Sequence, residues 1–297
     1  MNEALHTEYF RRLSRAFSFI EENIFTQIEQ VKIAECSGTS LYHFHRMFKA
    51  GTGDSLGDYI RKRKMSIAAE KLKSGDIRII DLAVSLGYNS HASFTRAFSR
   101  EYGCSPGDIK KNGYCFIMRK PKTIEQLICE YENRRQKMDV KIIEKKQMLI
   151  AGKKIRVNNG GENKQKIPMF WSEFMTKKLG ERIPDRLCEC YGTMGICIND
   201  GDEAGNFSYM IGDPVSSTDS LSEEFDSIII EAGTWAVFTS KGPFPEAIQN
   251  CWDYIYSEWL PGSGYELRDS PEIELYDDRC SNDPQEMDIY LPVQKKN

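Results

Sequence analysis

No stretch of the 297-residue chain approaches the roughly 20 consecutive apolar residues that span a bilayer. Its start, MNEALHTEYFRR, lacks the apolar core of a signal peptide. A soluble cytoplasmic protein without a membrane partner is expected. Histidine is scarce: His6, His43, His45 and His91 are all there are, and all lie in the N-terminal third. The nine cysteines (Cys36, Cys104, Cys115, Cys129, Cys188, Cys190, Cys197, Cys251 and Cys280) contain no C-x-x-C pair, and only Cys188 and Cys190 are close. That spacing argues against a zinc site and for free thiols in a reducing compartment. No metal and no cofactor are expected. No nucleophile, base and orienting residue stand together in a way that reads as an enzyme.

Charge is what the two ends share least. Met1–Cys115 carries 17 Lys and Arg against 13 Asp and Glu, whereas Asp139–Asn297 carries 17 against 28. A mildly basic part beside a strongly acidic one suggests different partners for each.

The basic part contains a repeat. Phe44, Arg46, Phe48, Gly53, Ser55, Gly57 and Asp58 return fifty residues later as Phe94, Arg96, Phe98, Gly103, Ser105, Gly107 and Asp108. Ala34 and Gly38 return at forty-nine, as Ala83 and Gly87. In each copy a short apolar helix ends at a glycine, which accepts positive φ, and a serine then caps the next helix. Helix, glycine turn and serine-capped helix make a helix-turn-helix. Phe44 and Phe48, like Phe94 and Phe98, belong to the core face. The opposite faces, Tyr42, His45, Arg46 and Lys49 in the first copy and Ala92, Thr95, Arg96 and Ser99 in the second, are expected to be exposed. Such faces can reach base edges in a major groove, Arg to guanine above all. Between the copies Leu56–Ser74 reads as one helix of roughly 27 Å. With its packed ends it approaches the roughly 34 Å between successive major grooves on one DNA face. Its head, Arg61, Lys62, Arg63 and Lys64, suits phosphate contacts.

Over about Tyr9 to Lys111 the sequence resembles the AraC family of bacterial regulators. SLYHFHRMFKAGTGDSLGDYIRKRKM and FTRAFSREYGCSP are similar to its Rob and MarA branch. The resemblance implies two recognition helices in adjacent major grooves, with Tyr42, His45 and Arg46 in the first and His91, Ala92, Thr95 and Arg96 in the second. The branch often carries Trp and Gln where this chain has Tyr42, His45, His91 and Ala92, so a target sequence does not carry over.

A charged linker helix is expected over 113–139, as a spacer or a small interaction surface; Thr123 to Gln126 fits a capping box. The acidic part then reads as strand, helix, strand, strand, twice. The expected fold class is multidomain: an all-α double helix-turn-helix domain over 1–112 and an α+β domain over 140–297, a curved sheet with both helices on one face. IEAGTWAVFTSKGP, YSEWLPGSGYELRDSPEIELY and the final IYLPV resemble the GyrI-like effector-binding domains. That resemblance implies a groove for bulky amphipathic compounds, and a functional glutamate matching Glu274.

Along Pro271–Asp277 the alternation puts Glu272, Glu274 and Tyr276 on one face and Ile273 and Leu275 on the other, the latter expected to meet the helices. A carboxylate beside aromatic rings suits an organic cation. Glu274 is the chosen acid and Glu272 the reserve, with Tyr276 beside them. Tyr209 and Trp235 are expected as walls or as core packing, and Trp171, Trp252 and Trp259 as core helix residues. The expected function is a sequence-specific transcription regulator, an activator, with double-stranded promoter DNA, a small amphipathic effector and RNA polymerase as partners. The alternatives are a domain that hydrolyses its ligand, through Glu274 with Tyr276 or Tyr209, and a protein-inhibitor module.

Overall fold

Two serines set the local frame of the helical region. In the computed structural model, which describes residues 3–74, 77–112, 126–127, 138–158, 163–187, 192–200 and 206–296, Ser40 accepts from the His43 backbone and starts α3 (Leu41–Thr52). Ser90 accepts from the Ser93 backbone and starts α6 (His91–Tyr102). The preceding helices α2 (Gln30–Cys36) and α5 (Ile79–Ser85) lead into turns where Gly38 has φ 68° and Gly87 φ 80°. A side chain would be strained there. The repeat extends to the next helices: Asp58 N–H donates to Ser55 Oγ and Asp108 N–H to Ser105 Oγ, each at 3.2 Å. These capped turns begin α4 (Leu56–Ser74) and α7 (Pro106–Asn112). Matching ring pairs, Phe44–Phe48 at 5.6 Å and Phe94–Phe98 at 5.7 Å, fill the two cores. Helix α1 (Glu3–Glu22), outside the repeat, packs Phe17 against Phe48 and Tyr59.

The basic head of α4 is engaged within this region. Arg61 pairs with Glu101 at 2.9 Å, Lys62 with Asp54 at 2.7 Å and Arg63 with Glu21 at 2.8 Å, while Lys64 donates to the Leu86 carbonyl. The linker helix expected over 113–139 lies outside the described residues, except Gln126, Leu127, Met138 and Asp139; Leu127 is buried in the helical core.

Among the described residues the acidic part is an antiparallel sheet with two main helices and shorter helical turns. Its strands are β1 (Val140–Lys145), β2 (Met148–Asn158), β3 (Thr193–Ile198), β4 (Asn206–Pro214), β5 (Asp226–Ile230), β6 (Gly233–Lys241), β8 (Glu272–Tyr276) and β9 (Glu286–Lys295), in the order β1-β6-β9-β8-β3-β4-β2-β5. A short β7 (Tyr265–Leu267) adds to β9. The order is a pseudo-twofold about the β3–β8 pair, and each half has two strands before its helix, one more than the expected strand-helix-strand-strand unit.

This sheet is rolled. β5 and β6 stand six places apart, roughly 29 Å if flat, yet only Glu231 and Ala232 join them, and three Cα steps span at most about 11 Å. The inside of the roll is an apolar cluster of Ile150, Met194, Ile196, Met210, Ile230, Trp235, Ile273 and Leu275. Helix α8 (Asn163–Thr176) and helix α9 (Glu246–Tyr254), which continues into a π-helical turn at Ile255–Trp259, cover the other face.

That arrangement corrects two sequence expectations. Ile273 and Leu275 face the inside of the roll, and Glu272, Glu274 and Tyr276 face the helices. Trp235 lies fully buried inside the roll and is no wall of a site at the carboxylates. A period of two separates the faces of a strand but does not say which face the helices cover. Among the described residues no helix is long and apolar enough to cross a membrane.

Candidate functional site

The two central strands bring the polar groups together. Pairing of β3 with β8 sets Gly195 opposite Glu274 and Cys197 opposite Glu272. Pairing of β3 with β4 sets Tyr209 opposite Cys197. All lie beneath the two helices, where Glu272 is 2% exposed and Glu274 8%. Buried carboxylates need donors, and the aromatic residues supply them. Glu274 accepts from Trp252 Nε1 at 2.8 Å and from the hydroxyls of Tyr209 and Tyr276, each at 3.1 Å. Trp171 Nε1 donates to Tyr209 Oη at 2.9 Å, and its ring lies 4.7 Å from that of Tyr276. Gly195 makes room for this set: a Cβ there would sit 2.1 Å from Tyr209 Oη and 3.3 Å from Glu274 Oε2.

Glu272 is held differently. Tyr256 donates its hydroxyl to one carboxylate oxygen. The other oxygen receives two groups from the helical region, the hydroxyl of Tyr42 at 2.9 Å and Nη2 of Arg46 at 3.1 Å. The Arg46 guanidinium also donates to Tyr42 Oη from Nε at 3.0 Å and to Cys197 Sγ from Nη2 at 3.4 Å. It lies over the Trp252 ring at 4.3 Å, with the Tyr42 and Tyr256 rings at 5.1 and 5.7 Å. Burial opposes its charge, Glu272 favours it, and the outcome is a pKa above the ordinary arginine range. Burial raises the Tyr42, Tyr209, Tyr256 and Tyr276 hydroxyls well above the usual phenol range, and it pushes the Cys197 thiol up to about 12. The hydroxyls therefore remain donors and Cys197 a thiol.

Of the expected first reading face, Tyr42 is 3% exposed, and His45, Arg46 and Lys49 are partly buried. Burial lowers the pKa of His45 to about 4. In the second copy His91, Ala92 and Arg96 are exposed and Thr95 is half-buried. The two faces therefore differ, although their sequences match. Trp171 and Trp252, expected as core residues, are members of the aromatic site. Trp252 joins its halves, since its ring carries Arg46 while its N–H holds Glu274. The spacing of Trp252 and Tyr256 at i and i+4 was the available signal, because it puts both on one helix face.

An open depression of about 670 Å³ beside α8, lined by Ile155, Met169 and Phe170 among others, lies apart from the two buried glutamates. Among the described residues no three His, Cys, Asp or Glu gather to hold a metal. Cys36, Cys104, Cys197, Cys251 and Cys280 are free thiols.

Two family descriptions match the chain: a helix-turn-helix domain over residues 33–112 and an integron-associated effector binding protein over residues 141–293. The probable transcription factor PqrA of Proteus vulgaris is 39% identical over 90 residues, 29% of this chain and 74% of that protein. The multiple antibiotic resistance protein MarA of Escherichia coli (strain K12) is 42% identical over 88 residues, 30% of this chain and 69% of that protein. The solved structure of SAV2435 bound to tetraphenylphosphonium matches 53% of this chain and 94% of its own at 21% identity and a TM-score of 0.47.

Proposed function

Because the chain belongs to the AraC-type DNA-binding transcription regulators of the MarA kind, with an effector-binding domain fused behind the reader, we propose that it is an activator whose effector is a small amphipathic cation. The observation that carries the effector class is the pair of glutamates buried on one strand among Trp171, Trp252, Tyr209, Tyr256 and Tyr276. A delocalised cation suits that site, through charge and through ring faces worth about 0.5–2 kcal/mol each. A neutral ligand of the same shape gains only the rings.

DNA is read by the second helices of the two units, through Arg46 with Tyr42, His45 and Lys49, and through Arg96 with His91, Ala92 and Thr95. RNA polymerase is the partner through which an activator works. The domain binds its effector without turning it over.

The test is selection of bound fragments from random duplex DNA at near-physiological salt, beside an Arg46→Ala/Arg96→Ala double variant. A recovered motif that the double variant fails to enrich is the expected result. Equal enrichment by both proteins contradicts the reading faces. Calorimetry with tetraphenylphosphonium and the neutral triphenylphosphine oxide tests the effector class, with preference for the cation expected and equal affinities contradicting it.

A further inference from the structure

The second glutamate does a separate job. Glu274 is satisfied by three neutral donors, all from the effector-binding domain. Glu272 faces a cation, and that cation belongs to the reader, more than two hundred residues away in sequence. The guanidinium of Arg46 has what an amphipathic cation would want from this site: a buried carboxylate at 3.1 Å, an indole face at 4.3 Å and two phenol rings. Tyr42 is built in with it, packed among residues of the sheet and α8 and bonded to the same carboxylate. Ala50, two turns on, is buried against the α9 side. The outer face of α3 is thereby partly covered, while His91, Ala92 and Arg96 on the outer face of α6 are exposed.

We infer that Glu272, Trp252, Tyr256 and Cys197 form a guanidinium subsite whose occupant is Arg46, so that the first reading helix is locked on the effector-binding domain until an organic cation takes its place. This rests on the reading of the domain as a cation receptor. One guanidinium cannot lie over Trp252 and reach a base edge at once. The locked chain therefore reads DNA with its second unit alone. Trp252 makes the exchange competitive, because an effector that pairs with Glu274 and stacks on that ring needs the face on which Arg46 lies. Loss of the Trp252 face to a second cation leaves Arg46 a buried charge poorly compensated, and undocking the outer face of α3 from the effector-binding domain relieves it. DNA and effector both bind the released form better, so each tightens the other by the same factor, typically about 5–150-fold.

The experiment uses the full chain and tetraphenylphosphonium as the probe. Titrations of wild type and of Arg46→Met, with melting curves to establish folding, read the competition directly. Arg46→Met is expected to bind the probe about tenfold or more tightly than wild type, since its pocket holds no rival charge. In a second arm, Glu272→Gln is expected to raise affinity for the selected DNA without any probe and to blunt the probe's effect on it. In a third arm, which needs no variant, saturating probe is expected to speed amide hydrogen exchange in α3 while leaving α6 unchanged. Equal probe affinity in wild type and Arg46→Met overturns the lock while leaving the cation site standing. No probe binding to either protein overturns both. Unchanged exchange in α3 at saturation shows that the effector does not displace the helix and also overturns the inference.

Discussion

The two helix-turn-helix copies share their caps, their turns and their phenylalanine pairs, and they differ in what lies outside them. Arg46 and Arg96 hold the same place in the repeat. Arg96 is exposed, whereas Arg46 lies between a carboxylate and an indole. The difference arises at neighbours of the arginine. Position 42 carries a tyrosine whose hydroxyl reaches Glu272, and its counterpart in the second copy is Ala92, which offers the partner domain nothing. Duplication therefore yields two units with one internal geometry and two different surroundings. A polar helix face is equally suited to DNA, to water and to a buried acid.

The largest effect expected to expose this asymmetry is that of acid. Burial holds His45 neutral with a pKa of about 4, below the ordinary 6.5, so the unfolded chain takes up the proton first. Stability is then fully present above pH 6.5 and is lost as the pH falls towards 4. The loss is on the order of 3 kcal/mol at most, less the share screened where the ring meets solvent. Burial moves His43 in the same direction. Melting temperatures from pH 7 to 4 should fall less in His45→Gln than in wild type. The second copy has Thr95 at the matching position and contributes no such term, so an equal fall in both proteins would break the comparison at this residue.

Next come the arginines. Arg96→Ala should cost about 1–3 kcal/mol of specific DNA binding with or without effector, as a base contact does. Arg46→Ala should cost well under that without effector and approach it with effector, measured by fluorescence anisotropy at fixed salt. A smaller effect is expected for Glu274→Gln. It should weaken tetraphenylphosphonium binding about tenfold, near 1.4 kcal/mol, and leave triphenylphosphine oxide and probe-free DNA affinity alone. That separates it from Glu272→Gln. Equal losses for cation and neutral ligand would assign Glu274 a purely structural role. Smallest of all is Lys62→Ala, about 0.2–1 kcal/mol of stability by loss of the Asp54 pair. Its salt slope for DNA should change little; a slope reduced by about one would show that Lys62 leaves Asp54 for phosphate.

The helical part was legible in the sequence because its signals are local. Gly38 and Gly87 must turn, Ser40 and Ser90 must cap, and the fifty-residue recurrence says so twice. Leu56–Ser74 emerges as one helix for the same reason. The strands were legible from alternation, and Glu274, Tyr276 and Tyr209 do come together. The sidedness of β8 was not, because a rolled sheet buries both faces: Ile273 is 1% exposed and Glu272 2%. Trp235 and Trp252 exchange their expected places for that reason, each being a large buried ring, with only Trp252 on the helix side. The contact between α3 and β8 lies beyond any local pattern. Nothing in the residues around Arg46 distinguishes a guanine edge from Glu272, since both offer a pair of acceptors to one guanidinium.

The most direct measurement is dimethyl sulfate footprinting, which reports guanine N7 in the major groove, of the wild-type chain on DNA selected in the presence of tetraphenylphosphonium, with and without the saturating cation. The account expects protection of one major-groove segment without the cation and of two, about one helical turn apart, with it. Two protected segments in the absence of any cation would contradict it, because the first reading helix would then be free of the effector-binding domain from the start.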